Sequence, residues 1–219
     1  MADNGSSIDS VIEILKKESP QRKFKESVEL AVNLKDIDLS DPKNRLNEEI
    51  ILPKGRGKEI SVGVFGTEEL KEKARKITKS VFGPEDISKF LENKKEFKKL
   101  VENTDYFIAE STLMASIGKS LGQILGPRGK IPKPIPPGQD PEPVINNLKK
   151  TVRARSRDKK TFHVPVGTRE MSNQDLADNI NAVIRRLITK LEKGYSNIDS
   201  IFVKTTMGKS YRIEVGESK

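Results

Sequence analysis

Residues 60–76, ISVGVFGTEELKEKARK, hold the change of texture on which the fold turns. Ile60 to Gly66 is a short run rich in apolar residues, and Glu68 to Lys76 is a polar segment with helical spacing. Thr67, between them, is the expected N-cap. A buried strand passing directly into a helix is the building unit of a mostly parallel sheet. The pattern continues with a strand around Ile77–Val81, a helix from Pro84 to about Asn103, a strand at Asp105–Ala109 and a helix at Leu113–Leu125. Seven prolines in 126–143 predict an extended, exposed loop without regular structure. Pro143 then begins another short helix.

Outward from this block the period changes on both sides. Upstream, Ile8, Val11, Ile12 and Leu15 share one helix face, with Ser7 as N-cap. Val28, Leu30, Val32 and Leu34 alternate with Glu29, Ala31 and Asn33, the period of a half-buried strand. Residues 38–46 predict a loop, Glu49–Leu52 a strand stopped by Pro53, and 54–58 a basic turn. Downstream, Val152 and Ala154 alternate with Arg153, Arg155 and Arg157, which predicts a strand over 151–157 with one charged face. A strand at Thr161–Val166 follows, and Ser172 caps a long helix over Asn173–Leu191 whose apolar stripe faces a core. Two strands, Ser200–Thr205 and Ser210–Val215, flank a Met207-Gly208 turn. The fold class is α/β and α+β in two domains. Residues 1–62 plus 152–219 form a terminal-segment α+β domain with an antiparallel sheet, and 63–151 an inserted smaller α/β, Rossmann-like domain.

Composition narrows the chemistry. The 219 residues hold 41 Lys and Arg against 32 Asp and Glu, a formal charge of +9, and no cysteine. Disulfides, cysteine–metal sites and thiol catalysis are excluded, and a single histidine, His163, rules out any multi-histidine metal cage. No apolar run approaches the roughly 18 residues that span a bilayer, and the polar start differs from a secretory signal. The expectation is a cytoplasmic protein with no membrane partner, no cofactor and no metal. A nucleotide-binding enzyme is the chemical alternative. A phosphate-cradling Gly-rich loop ending in Gly-Lys needs a glycine five residues earlier, and Leu113, Ile124 and Val203 occupy those positions. Gly63-Val64-Phe65-Gly66 is no full dinucleotide fingerprint, the carboxylates form no coherent acid–base pair, and His163 lies in an alternating strand. Catalysis has no candidate residue.

The charge points instead to a polyanion. Residues 1–62 carry eleven basic against twelve acidic side chains, 63–151 sixteen against twelve, and 152–219 fourteen against eight. With no Trp, three Tyr and eight Phe, a dedicated platform for stacking several bases is absent, which suits folded RNA read through shape, phosphates and 2′-hydroxyls. Four places stand out: Arg22–Ser27, the GPRGK loop at 126–130, the arginine strand, and Lys204-Thr205-Thr206-Met207-Gly208-Lys209. The last combines amides at a tight turn, hydroxyls and two cations.

Three motifs carry a resemblance: Phe24-Lys25-Glu26-Ser27-Val28-Glu29-Leu30, Gly126-Pro127-Arg128-Gly129-Lys130-Ile131-Pro132-Lys133-Pro134, and Thr205-Thr206-Met207-Gly208. In this order and over nearly the whole chain they resemble the L-one family of large-subunit ribosomal proteins, which forms the mobile stalk beside the exit site for deacylated tRNA. Lys130 and Ile131 after the GPRG, with TFHVPVG at 161–167, are similar to the archaeal branch. The resemblance implies a host domain built from both termini and an inserted domain. It implies as partners large-subunit rRNA, tRNA in the ribosome and the protein's own mRNA, the last with repression of translation, and a monomer when free. By motif match the RNA contact falls on Lys23, Phe24, Glu26 and Ser27 in one strip and on Ser200, Thr205, Thr206, Met207 and Gly208 in the other. Electrostatics adds Arg153, Arg155, Arg157, Lys159 and His163. Three roles stay open for the second-domain loop (Gly126, Arg128, Gly129, Lys130): touching RNA, packing across the cleft, or setting domain closure.

Overall fold

The structure, a computed structural model that describes residues 8–20 and 22–214, begins with α1 (Ile8–Glu18), whose Val11, Ile12 and Leu15 are buried along one face. Ser7 and Val215, the expected cap and strand end, lie outside the described residues. β1 (Ser27–Leu34) alternates as its sequence predicts, burying Val28, Leu30, Val32 and Leu34. β2 (Asn47–Ile51) follows. The middle of the chain supplies β3 (Val62–Phe65), α2 (Glu68–Arg75), β4 (Val81–Phe82), α3 (Pro84–Glu92), α4 (Lys94–Asn103) and β5 (Tyr106–Glu110). It continues with α5 (Met114–Leu125), β6 (Lys133–Ile135) and α6 (Glu142–Lys150). The remainder forms β7 (Thr151–Arg155), β8 (Thr161–Thr168), α7 (Asn173–Lys190), β9 (Ile198–Thr205) and β10 (Ser210–Ile213).

Contacts divide these elements into two compact units, one of residues up to 58 with 150 onward, the other of residues 59–149. The first crossing falls before the expected 62–63 because Ile60 is buried in the middle unit's core and Ser61 O accepts from the Asp105 and Tyr106 amides at 2.9 and 3.3 Å. The terminal unit is an antiparallel sheet in the order β10-β9-β1-β8, beside a separate β2-β7 ladder. Its inner face packs with α1 and α7 into one core, where Leu176, Ile180, Val183, Ile184 and Leu187 supply the α7 stripe. Ser172 caps α7, its hydroxyl accepting from the Asp175 amide at 3.0 Å. The middle unit is a parallel sheet in the order β4-β3-β5-β6, apolar on both faces, with Phe97, Val101, Ile117 and Leu121 covering one and Leu70, Ala74, Ile145 and Leu148 the other.

Five local expectations change. The strand expected around Ile77–Val81 is confined to Val81–Phe82, because the Ile77 and Thr78 amides both donate to Ala74 O in the turn that closes α2. The helix expected from Pro84 to Asn103 is two helices, because Asn93 leaves the helical region (φ −108°, ψ 67°) and its side chain accepts from the Glu96 amide to start α4. The proline-rich stretch holds a strand, β6, paired with β5 at the sheet edge. Pro134 is tolerated there because an edge strand needs no donor on its outer side, and Ile135 is buried. Arg157 leaves the arginine strand, adopting φ 53° in the β7–β8 turn. Thr67 sits at the start of α2 but makes no side-chain cap.

Its hydroxyl instead donates to Glu110 Oε2 at 2.7 Å, and its amide donates to the same oxygen at 3.0 Å. Thr112 donates to Glu110 Oε1 at 3.2 Å. Glu110, buried at the carboxyl end of β5, thus fills the anion position at the α2 N-terminus. This is where the strand order reverses around β3, the usual place for a nucleotide phosphate in such sheets. The Thr67 amide above all, with the two hydroxyls, holds the carboxyl below its ordinary range against the opposing effect of burial. A carboxylate so depressed contributes stability that is full above its unfolded value near 4.5 and is lost as pH falls through the folded value. Glu110→Gln is expected to lower the melting temperature at pH 7, with the gap from wild type closing below about pH 4. A gap that is constant from pH 7 to pH 3, measured by calorimetry, would contradict this assignment.

Candidate nucleic-acid interface

The face of the terminal sheet turned away from α1 and α7 is polar. β1 contributes Glu29, Ala31 and Asn33, β8 contributes Thr161, His163 and Pro165, and β9 contributes Ser200, Phe202 and Lys204, by the two-residue alternation of each strand. Neighbours across it are bonded: Asn33 Nδ2 donates to Ser200 Oγ at 2.8 Å and Thr161 Oγ1 to Asn33 Oδ1 at 2.7 Å. His163 pairs in register with Ala31, and its Nδ1 lies 4.0 Å from Glu29 Oε2.

At the amino end of β1 two distant pieces of chain are joined. The Thr206 amide donates to Ser27 O at 3.0 Å, and the Thr206 hydroxyl accepts from the Ser27 amide at 3.2 Å. The Met207 amide donates to Glu26 Oε1 at 3.3 Å, and Arg22 donates to Met207 O at 3.5 Å. The strip and the turn therefore form one surface, which displays Phe24, 51% exposed, and Met207, 62% exposed, between Arg22, Lys23 and Lys25. Two exposed large apolar side chains amid cations form an amphipathic patch suited to sugars and base faces as well as phosphates. Lys25 is shared with Glu170 at 2.7 Å.

Within the expected site the residues divide by role. Lys23, Phe24, Met207 and the Gly208 backbone stand at the surface, with Ser200 and His163 on the adjoining sheet face. Thr205 is fully buried and meets Ser19 Oγ at 3.4 Å, so its hydroxyl supports the turn from below and does not reach a ligand. Glu26 is only 3% exposed and serves the Met207 amide. The arginine cluster lies elsewhere. Arg155 is on β7, paired with Asn47 of β2, and Arg157 and Lys159 are in the turn before β8. That turn meets the far end of β1, where Leu34 N donates to Lys160 O, about 24 Å along the strand from Ser27. Sequence reading missed Arg169, whose guanidinium reaches the strip, because nothing in its local pattern separates it from any exposed arginine.

Residues 15–209 match the sequence profile of the Ribosomal protein L1p/L10e family. The chain belongs to that family. It is 62% identical over 99% of its length to the large ribosomal subunit protein uL1 of Thermoplasma acidophilum, covering all of that protein. It is 50% identical over 89% of its length to the protein of the same name from Methanocella arvoryzae, covering 92% of it. Both are archaeal, in line with the archaeal-type motifs, and the family is one of structural, non-enzymatic ribosomal proteins.

The family's GPRG segment has a definite role here. Lys130 Nζ donates to Val101 O and Thr104 O, both at 2.6 Å, closing the carbonyl end of α4. Arg128 donates to Ile124 O at 3.3 Å and approaches Glu102 at 3.6 Å, while Gly129 takes φ 66°, the left-handed conformation that closes the turn after α5. Gly126 accepts the Gly129 amide in that turn. Lys130 is therefore a cap of the middle unit and not an exposed cation.

Gly208 is the position of the turn least open to change. A Cβ there would lie 2.3 Å from Thr205 Oγ1 and 3.0 Å from Ser19 Oγ. Gly208→Ala is expected to destabilise the chain by about 1–3 kcal/mol in a denaturant titration. Gly118→Ala, in α5 with nothing within 4 Å of the added carbon, should be neutral or gain up to about 1 kcal/mol. Equal effects of the two substitutions would refute the packing of the turn.

Proposed function

We propose that this chain is a structural protein of the large ribosomal subunit, in the cytoplasm, and that its terminal unit binds a folded segment of rRNA at the strip 22–27 and the turn 204–209. The observation that carries the reading is the joining of the strip and the turn through Ser27, Glu26, Thr206 and Met207, which presents Phe24 and Met207 among cations. A preformed surface of this kind favours RNA of fixed shape over a flexible strand, because little ordering remains to be done on binding. The names of the archaeal relatives, large ribosomal subunit proteins, agree with it. The same surface would accept a similarly folded stretch of the protein's own mRNA, which makes translational repression a competition between two RNAs for one site. At the ribosome the protein would act as the monomeric head of the stalk that assists release of deacylated tRNA.

A salt titration of affinity tests the reading, using a folded rRNA stalk fragment, an equal-length single strand and a duplex DNA. Charge alone gives affinities that fall together with salt, at about 0.9 per neutralised phosphate on a duplex in a log–log plot. The expected result is a preference for the folded fragment that persists at raised salt. Equal affinities that collapse together would replace the reading with that of a general basic RNA chaperone.

Side-chain changes locate the site. Thr206→Val removes the hydroxyl bonded to Ser27, and Met207→Asp puts a carboxylate where phosphate oxygens must approach. Each should weaken binding of the folded fragment roughly tenfold or more, the size of one to two hydrogen bonds. Lys98→Ala, exposed on α4, should change it less than about threefold. Similar losses from all three would remove the turn from the site.

A further inference from the structure

The strip that carries Phe24 reaches β1 without a strand partner of its own, since pairing begins at Ser27. What gives it a shape is Arg169, at the exit of β8. The Arg169 amide donates to Glu26 O at 3.0 Å. Its guanidinium donates to Pro20 O at 2.9 Å, Lys16 O at 3.0 Å and Ser19 O at 2.5 Å, closing carbonyls at and just beyond the end of α1. The same group lies 3.9 Å from Glu26 Oε2, an oxygen that is buried and accepts no hydrogen bond. Glu26 Oε1 holds the Met207 amide and stands 3.6 Å from Arg22.

Glu26 is thus a buried carboxylate flanked by two guanidinium groups, and Arg169 is the one fastened to the body of the unit. A buried charge that loses its partner is strongly disfavoured and moves toward water. For Glu26 that movement would release the Met207 amide and, with it, the turn. Lys16 reinforces the arrangement by donating to Met171 O just beyond Arg169. Burial, then the adjacent guanidinium, pushes the Lys16 ammonium below its usual range, as expected for cations crowded into one small junction.

We propose that Arg169 is a positioning residue for RNA recognition: it anchors Glu26 against the Met207 amide and so sets the mutual placement of Phe24 and Met207. The proposal rests on the reading of that surface as the RNA site. Arg169 itself touches no phosphate, because its guanidinium is directed at three carbonyls and a carboxylate of its own chain.

The test uses the full chain with Arg169→Gln, Arg169→Lys and the double change Glu26→Gln with Arg169→Gln. Arg169→Gln is expected to weaken folded-fragment binding about tenfold while the log–log salt slope stays at the wild-type value. Removing a phosphate-contacting arginine would instead lower that slope by about 0.7–0.9. Arg169→Lys should lie between, and the double variant should bind no more weakly than Arg169→Gln alone, as required if one group acts through the other. Val183→Ala, deep in the core, should lower the melting temperature without changing affinity well below it. A reduced slope would make Arg169 a direct contact, and unchanged affinity would make it merely structural; either overturns the proposal. Should Arg169→Gln fail to fold, Arg169→Lys carries the same readouts. Hydrogen exchange at the Met207 amide separates this proposal from the reading beneath it. Faster exchange in the variant supports the positioning role, and unchanged exchange refutes it, even if wild type shows no preference for folded RNA.

Discussion

Strand β1 is paired along its whole length on both sides, with β8 and with β9, and the terminal unit depends on that double ladder. The strand comes from the first part of the chain, and both partners come from beyond the middle unit. Hydrogen bonds such as Ser27 to Thr206 close a separation of 179 residues. Contacts this distant in sequence carry the loop-closure cost that slows folding, so the interface cannot exist until nearly the whole chain has assembled. Three segments then converge at the amino end of β1: the strip entering it, the turn leaving β9, and Arg169 leaving β8. The site is a product of strand register, and a slip of β1 by one residue would turn Glu29 and Asn33 into the core.

The positive charge is less available than composition implies. Lys130 closes α4, Arg45 donates to Leu39 O and Ser40 O, and Arg169 closes α1. Lys71 is shared between Glu68 and Glu85, whose carboxylates push its ammonium above the usual range. Glu48 receives both Arg186 and Lys190. These cations satisfy carbonyls and carboxylates that would otherwise be unpaired, and only part of the excess remains for a polyanion. A carboxylate of the chain itself also occupies the switch point of the middle sheet. There Glu110 is a fixed internal anion on the Thr67 amide.

Much of the fold was legible because period is a local property. The alternation of Val28 to Leu34 and the stripe of α7 with its Ser172 cap hold in the structure, and the two strands expected at Ser200–Thr205 and Ser210–Val215 are found at Ile198–Thr205 and Ser210–Ile213. The misreadings have local causes. Asn93 satisfies two helix ends at once, which a continuous helical pattern conceals. Proline density hid β6, since an edge strand tolerates Pro134. Thr67 has the type of a cap, yet a stronger acceptor, the Glu110 carboxylate, lay 43 residues away.

The candidate site was legible only in part. Motif residues such as Phe24 and Met207 are exposed, as a ligand contact requires, but Thr205 and Glu26 in the same motifs are buried. By itself the sequence determined the class of most elements, the interruption of one texture by another, and the family, because hydrophobic period and motif identity are written along the chain. The tertiary structure alone decided which cations are engaged, that the turn carrying Arg157 and Lys159 stands at the opposite end of β1 from Ser27, and that Arg169 underlies the strip 22–27. Those are matters of distance between residues remote in sequence, and the pairing of β1 with both of its neighbours sets them.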